Sequence, residues 1–304
     1  MTKSWTGLLV AALAFLPAEA EQYWVIGTSE DGGWYDVNKT YVNDSNLCWA
    51  ASASNMLAWW QDHNPEYNDL ALINNPQTPQ GADAIFENFT TAFTNNPGRT
   101  AFGWLWFLDG QTIPPYTPDL RLGGDALGGY YQEAISTLYP ELDIELYVDD
   151  FLSVDDPAHF VSAYIKEAIQ MGCGVTLGIC SDVHNVHHAV TLWGIDFNEE
   201  TQLITSLYLT DSDDVQYTGD VDKLFMASCD ILEKELSQQP DGKDMKKMLS
   251  LSYTDEESGR TWYDDTYYVL GVDLIRTVQM STPEPATATL GLLALAALCG
   301  RRRR

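Results

Sequence analysis

Three side chains of this sequence could together carry out covalent chemistry: a thiol at Cys48, an imidazole at His188 and a carboxylate at Asp211. Cys48 falls in the first turn of a predicted helix over Asn46–Asp62, where the helix dipole and the backbone N–H groups of the first turn favour a thiolate. Position alone leaves the alternative of a small buried hydrophobe, a common fate of cysteine. Three of the five histidines lie in His184-Asn185-Val186-His187-His188, directly before an apolar run. A metal site there lacks a His-Glu-x-x-His pattern or a carboxylate ligand at useful spacing, and no bound metal is expected. The runs Ala189–Phe197 and Leu203–Thr210 flank the polar turn Asn198-Glu199-Glu200-Thr201. Folded as a hairpin about that turn, they pair Val190 with Leu209 and Leu192 with Leu207, and set His188 opposite Asp211. Asp213, two residues on, projects the same way if the strand continues. Such a set suits a nucleophile, a base and a carboxylate that fixes the imidazole tautomer. The competing reading of Asp211-Ser212-Asp213-Asp214 is a solvated acidic turn. A calcium loop fits poorly, because Val215 occupies the third ligand position and no glycine follows.

The elements that must position these groups divide the chain. Asn46–Asp62 is helical, with Asp44, Ser45 or Asn46 as N-cap and Ala50, Ala51 and Ala53 allowing close packing. Gly81–Thr94 and Leu127–Leu138 are further helices. Pro157–Met171 is the clearest: Asp156 caps it, Pro157 opens it, Phe160, Tyr164, Ile165 and Ile169 form its stripe, and Gly172 ends it. Beyond Gly172 the pattern turns to strands: Gly174–Cys180, Ala189–Phe197, Leu203–Thr210 and Tyr267–Ile275. The expected fold is α+β, a helical first half packed on an antiparallel β-sheet, in one domain over 21–280. Trp104, Trp106 and Phe107 either line a groove or belong to the core.

At these residues the sequence resembles the IdeS/Mac family of secreted, immunoglobulin-degrading cysteine endopeptidases, a papain-like group. The matching stretches are Gly33-Trp34-Tyr35-Asp36, Lys39-Thr40, Leu47-Cys48, Ala50-Ala51, Asn55-Met56-Leu57 and Trp59-Trp60. Later come His188, Leu192-Trp193-Gly194, Asp196-Phe197 and Thr210-Asp211-Ser212-Asp213, with weaker similarity around Val269 to Thr277. The resemblance implies a papain-like cysteine peptidase acting through a thioester, without cofactor. Cys48 would be the nucleophile, His188 base and then acid, and Asp211 the orienting carboxylate. It also implies Lys39 beside the oxyanion, acting with the Cys48 backbone N–H, and Asp213 as a supporting carboxylate. Without the resemblance Lys39 reads as an ordinary surface lysine. Two departures stand out: Trp49 follows the nucleophile in place of a small glycine, and the Lys39–Cys48 spacing is slightly short for the family.

Residues 1–20 read as a signal peptide: Lys3, the apolar run Leu8–Leu16 and the Ala18-Glu19-Ala20 cleavage pattern. The alternative is a buried N-terminal helix. The segment 281–304 combines Thr282-Pro283-Glu284-Pro285, fifteen mostly small apolar residues from Ala286 to Gly300, and Arg301 to Arg304. It resembles a PEP-CTERM sorting tail, which implies processing by an exosortase; fifteen residues are short beside the ~17–25 of a spanning helix, so a plain tail anchor is the second reading. The expected location is secreted, at the cell surface or outside the cell, touching the membrane only through this tail.

The whole sequence has 304 residues, 16 Lys+Arg, 44 Asp+Glu and a net charge of −28. Without both ends the core keeps 11 basic and 42 acidic residues, a net of −31. Such a surface repels nucleic acid and anionic lipid, while 45% apolar and 12% aromatic residues suffice for a core. Four core cysteines are too few for a disulfide scaffold. Cys173 and Cys180, ends of one expected strand, would lie about 23 Å apart and could not bridge; a bridge involving Cys229 stays open. A protein substrate is expected, immunoglobulin being a candidate. Two other readings keep the scaffold: a papain-like acyltransferase, and a surface binding protein that has lost activity.

Overall fold

The pattern of residues in the first half folds as helices because its apolar positions recur at helical spacing, and that of the second half as strands. The computed structural model describes residues 20–110, 128–138, 146–150, 154–214, 222–236, 244–256 and 259–277. Apart from Ala20, the expected signal peptide over 1–20 lies outside the described residues, as do Val215, the tail over 281–304 and its Cys299. In chain order the elements are β1 (Glu21–Trp24), α1 (Cys48–His63), α2 (Pro65–Asn74), α3 (Ala82–Ala92), α4 (Thr100–Asp109), α5 (Gln132–Leu138), β2 (Leu146–Asp150), α6 (Pro157–Gln170), β3 (Cys173–Ser181), β4 (Val186–Asn198), β5 (Leu203–Thr210), β6 (Phe225–Leu236), β7 (Asp244–Thr254), β8 (Thr261–Tyr263) and β9 (Tyr268–Arg276).

The strands form one antiparallel path, β2-β9-β3-β4-β5-β6-β7-β8, with β1 added on β4. A pairing of Ser250 with Tyr268 and the Leu251 N–H bond to Tyr267 O tie β7 back to β9, so the sheet curls on itself. The α+β expectation is met. The four expected strands are present within a residue or three at each end; the long β6–β7 pair, β1, β2 and β8 were not foreseen. The helix expected over Leu127–Leu138 is described only as α5, from Gln132 onward.

Helix α1 is the centre of the molecule. Every residue from Trp49 to Gln61 is buried, as a helix covered on all sides must be. The sheet lies on one side of it and α3 and α4 on another. Trp49 packs edge-on against Phe89 and Phe93 and donates its Nε1–H to Asn96 O at 3.1 Å. It packs beneath the surface and does not narrow a cleft. Trp104, Trp106 and Phe107 are core residues of α4, not groove residues. The helix begins two residues later than expected, with Leu47 as N-cap and no side-chain cap bond, so Asp44, Ser45 and Asn46 are not its cap. Asp44 instead accepts from Thr40 N and Thr40 Oγ1 at 2.8 and 2.9 Å, bracing the loop before the helix.

On α6 the expected cap holds: Asp156 accepts from His159 N. Ile165 and Ile169 of the expected stripe are buried, joined by Val161, Ser162 and Ala168, whereas Phe160 and Tyr164 stack on each other at its margin. β3 is buried along nearly its whole length on both faces, with α1 and α6 each packing against it. Contact with α1 is close: a Cβ at Gly174 would lie 2.5 Å from Met56 Sδ and 2.8 Å from the Trp59 ring. Both neighbours are fully buried and have nowhere to move. Gly174→Ala is therefore expected to destabilise the fold by ~1–3 kcal/mol, read as a lower midpoint in chemical denaturation.

Candidate active site

The end of α1 that carries Cys48 meets the ends of β4 and β5. The β4–β5 hairpin turns at Glu199–Gln202, where Gln202 takes a left-handed conformation (φ 58°). Its register differs from the expected one: Leu192 pairs with Leu209 and Thr191 with Thr210. Two irregularities, between Asp196 and Phe197 and between Leu192 and Gly194, offset each other along the way. The shift is by two residues, so each side chain keeps its face, as a period of two requires. His188 is thus not directly opposite Asp211, yet their side chains meet, because the chain leaves β5 at Thr210 and folds back. Asp213 N–H donates to Asp211 Oδ1 at 3.0 Å and Asp214 N–H to Asp211 O at 3.1 Å. The strand does not continue to Asp213. Nor is 211–214 a solvated turn: Asp211, Ser212 and Asp214 are all buried.

His188 Nε2 lies 2.5 Å from Asp211 Oδ1, with both side chains nearly sealed from solvent. Tyr263 donates its hydroxyl to the other oxygen, Asp211 Oδ2. With Nε2 engaged, the second ring nitrogen, Nδ1, is the one available to the thiol. Burial by itself would lower the His188 pKa, but the charge and hydrogen bond of Asp211, then the Cys48 thiol, raise it well above the ordinary 6.5. Burial pushes Cys48 up, and the His188 bond and charge, the Lys39 charge and the Ala189 N–H outweigh it, leaving the thiol below its ordinary value. Burial would also raise Asp211; His188, Tyr263 and the Asp213 N–H hold it low. The three shifts favour one state, a thiolate beside an imidazolium beside a carboxylate.

Lys39 is 4% exposed and belongs to this cluster. Its Nζ pairs with Asp213 Oδ1 at 2.6 Å and donates to Ser45 O at 2.9 Å, while its backbone N–H donates to Ser212 O at 3.0 Å. The segment leading to Lys39 is fixed by Asn55, a polar residue two turns along α1 from Cys48. Asn55 accepts from Val37 N at 3.0 Å and donates to Thr191 Oγ1 at 3.0 Å, joining α1, the lysine segment and β4. Asp36, in the same segment, is raised to about 9 by burial and by the nearby Asp214 and Asp211 charges. It stays protonated at neutral pH, which spares Asp211 another adjacent negative charge.

His188, Asp211 and Asp213 offer ligand atoms within 4.8 Å of one another, a spacing a metal ion could use. Those atoms are already committed, His188 to Asp211 and Asp213 to the Lys39 ammonium, so a cation would have to displace a buried lysine. The donor set fits ion pairing between side chains better than metal ligation. The other two histidines of the 184–188 run stand apart: His184 pairs with Asp264 at 2.8 Å and His187 is exposed. No disulfide joins Cys48, Cys173, Cys180 or Cys229, and β3 holds Cys173 and Cys180 at its opposite ends.

Of the expected residues, Lys39, His188, Asp211 and Asp213 are joined by direct bonds, and Cys48 lies in the field of His188 and Lys39. Sequence reasoning missed Tyr263 and gave Asn55 no role. An amide between the apolar runs of α1, two turns from Cys48, was a usable signal for Asn55; nothing in Thr261-Trp262-Tyr263 marked the tyrosine.

Residues 22–94, which contain Lys39 and Cys48, match the family model described as Mac 1. Residues 281–304 match the PEP-CTERM protein-sorting motif. The resemblance to the IdeS/Mac family, sorting tail included, is thus shown. A curated relative, the "IgM protease" of Streptococcus suis (strain P1/7), is 26% identical over 229 residues. That match covers 60% of this chain but only 18% of the relative, so the chain spans less than a fifth of its length. The sorting motif of this IdeS/Mac-like chain points to an exported or surface protein. Among the described residues no helix is long and apolar enough to cross a membrane.

Two measurements check the charge state. Iodoacetamide should alkylate Cys48 at pH values below the ordinary thiol range of ~8.5, and His188→Ala should move that rise to higher pH. Asp211→Ala should cost ~3 kcal/mol of stability near neutral pH, since it leaves a buried imidazolium without its partner. The Asp211 share holds above its unfolded pKa of ~3.9 and fades as pH falls through its lower folded value. The His188 share is complete below ~6.5 and fades as pH rises through its raised folded value.

Proposed function

We propose that this chain is an exported cysteine endopeptidase of papain-like fold, whose peptidase domain is 21–280. The observation that carries the reading is the thiol at the start of α1, set in the joint field of the His188–Asp211 pair and Lys39. A thiolate there attacks the carbonyl carbon of a peptide bond, forming a C–S bond and placing the negative charge on oxygen. The Cys48 backbone N–H and the Lys39 ammonium receive that charge. Leu47 caps the helix without a side-chain bond, so no side chain competes for the N–H groups of the first turn. Asp213 holds the ammonium in place. As the C–N bond breaks, imidazolium at His188 protonates the departing amine. His188 then takes a proton from water, whose oxygen attacks the thioester carbon; the C–S bond breaks, releasing the acid and restoring the thiolate beside the imidazolium.

The family match and the similarity to an IgM protease support a protein substrate, and immunoglobulin M belongs among the proteins to test. The sorting motif supports removal of 281–304 by an exosortase-type enzyme, with the signal peptide over 1–20 cleaved on export. No nucleic-acid partner is proposed for a chain of net charge −28.

The test is cleavage-site mapping on a diverse protein library with purified 21–280, adding a labelled amine. Wild type should create new termini, Cys48→Ala none, and Lys39→Met should lower kcat by ~10²-fold, the usual effect of removing one oxyanion donor. Amine incorporation in place of new termini would assign acyl transfer instead, and proteolysis surviving in Cys48→Ala would overturn the assignment.

A further inference from the structure

Strand β8 is three residues long and stands at the end of the sheet path, yet its last residue reaches the centre of the site. Tyr263 is fully inside, 4% exposed, and its hydroxyl donates to Asp211 Oδ2. We propose that Tyr263 is a positioning residue of the catalytic apparatus, holding Asp211 in the orientation that fixes the His188 ring. The inference rests on the reading of Cys48, His188 and Asp211 as the catalytic set.

A buried carboxylate needs a hydrogen-bond donor on each of its oxygens. Asp211 has two oxygens in a place that water hardly reaches. One meets His188 and the Asp213 N–H. If the other had no donor, rotation about the carboxylate bond would let the two oxygens exchange, and the imidazole would lose its fixed partner. A phenol hydroxyl on Oδ2 locks that torsion. The ring itself is fixed: Tyr263 pairs with Tyr253 across β7–β8, meets Tyr267 edge-on at 5.0 Å between centroids and lies 6.0 Å from the Phe225 ring. The phenol is a poor proton donor in the full sense, since burial and then the Asp211 charge hold its pKa well above 10, so it orients by hydrogen bonding and keeps its proton throughout. The titratable groups around Asp211 are His188 from β4, Tyr263 from β8, Asp213 and Asp214 from its own loop and Asp36 from the segment before α1. Lys39 faces it only through Asp213.

Tyr263→Phe removes the hydroxyl and leaves the ring packing. In the 21–280 protein it should lower kcat about tenfold with KM little changed, the size expected for a hydrogen bond to a charged group. With Oδ2 lacking its donor, the anion is less stable. The acid-side limb of Cys48 alkylation by iodoacetamide should therefore move to higher pH. A fluorotyrosine at 263, a stronger donor on the same ring, should move that limb to lower pH, and it keeps the question answerable should Tyr263→Phe melt early. Opposed shifts from the two variants support the proposal. Wild-type kcat and an unmoved limb in a folded Tyr263→Phe protein, or shifts of the same sign in both, would overturn it. Cys48→Ala and His188→Ala run alongside. Proteolysis surviving in Cys48→Ala would sink the catalytic reading itself, whereas an inactive Cys48→Ala beside a wild-type-like Tyr263→Phe would sink only the role of the tyrosine.

Discussion

Asp211 holds a negative charge where solvent scarcely reaches, and much of the site follows from the need to satisfy it. A carboxylate desolvated without partners would take up a proton and cease to stabilise an imidazolium. Here it has an imidazole, a backbone N–H and a phenol hydroxyl, drawn from β4, its own loop and β8. The neighbouring Asp36 keeps its proton, and the charge of Asp213 is answered by Lys39. Two acidic neighbours, Asp36 and Asp213, thus stand close to the central anion, one holding its proton and the other paired with a lysine.

Around that pair the fold behaves as a frame of short cross-links. Asn55 joins α1 to the Lys39 segment and to Thr191 of β4; Thr210 Oγ1 donates to Tyr35 O and accepts from Trp193 Nε1. These bonds tie the helical half to the sheet at the point where Cys48 faces His188. The packing behind them is tight: the buried run Trp49–Gln61 presses Met56 and Trp59 on Gly174 of β3. Precision at the site is borrowed from the rigidity of the core.

Much of this was legible in the residues. Helical and strand periods gave α1, α3, α6 and the strands β3, β4, β5 and β9, because each buries one face, or all of itself, against a neighbour. The Asp156 cap was readable from its place before Pro157. The N-terminus of α1 was not: Asp44, a suitable cap by type, binds Thr40 instead, so a tertiary loop outcompeted the local rule. β6, β7 and β8 pair as successive neighbours along the chain, but the charged residues Glu233, Lys234, Glu235, Lys246 and Lys247 interrupt the apolar pattern by which a strand is recognised. The hairpin register was misjudged by two because the turn sits one residue later than its polar residues suggested and two irregularities intervene, which no local pattern encodes.

The sequence by itself determined which groups exist: a cysteine at a helix start, a histidine beside a strand, an acidic run after another, a lysine nearby and the two patterned ends. Their chemistry is intrinsic to side-chain type, and the period of two kept the faces of β4 and β5 even in the wrong register, while the turn after Thr210 carries Asp211 to His188. Only the tertiary structure decided that the acidic run is buried, that Lys39 is an inner residue paired with Asp213, and that a tyrosine 52 residues beyond Asp211 completes its bonding. Burial and partnership are properties of space, set by long-range packing, and it is they that turn ordinary titratable residues into a charge-separated site.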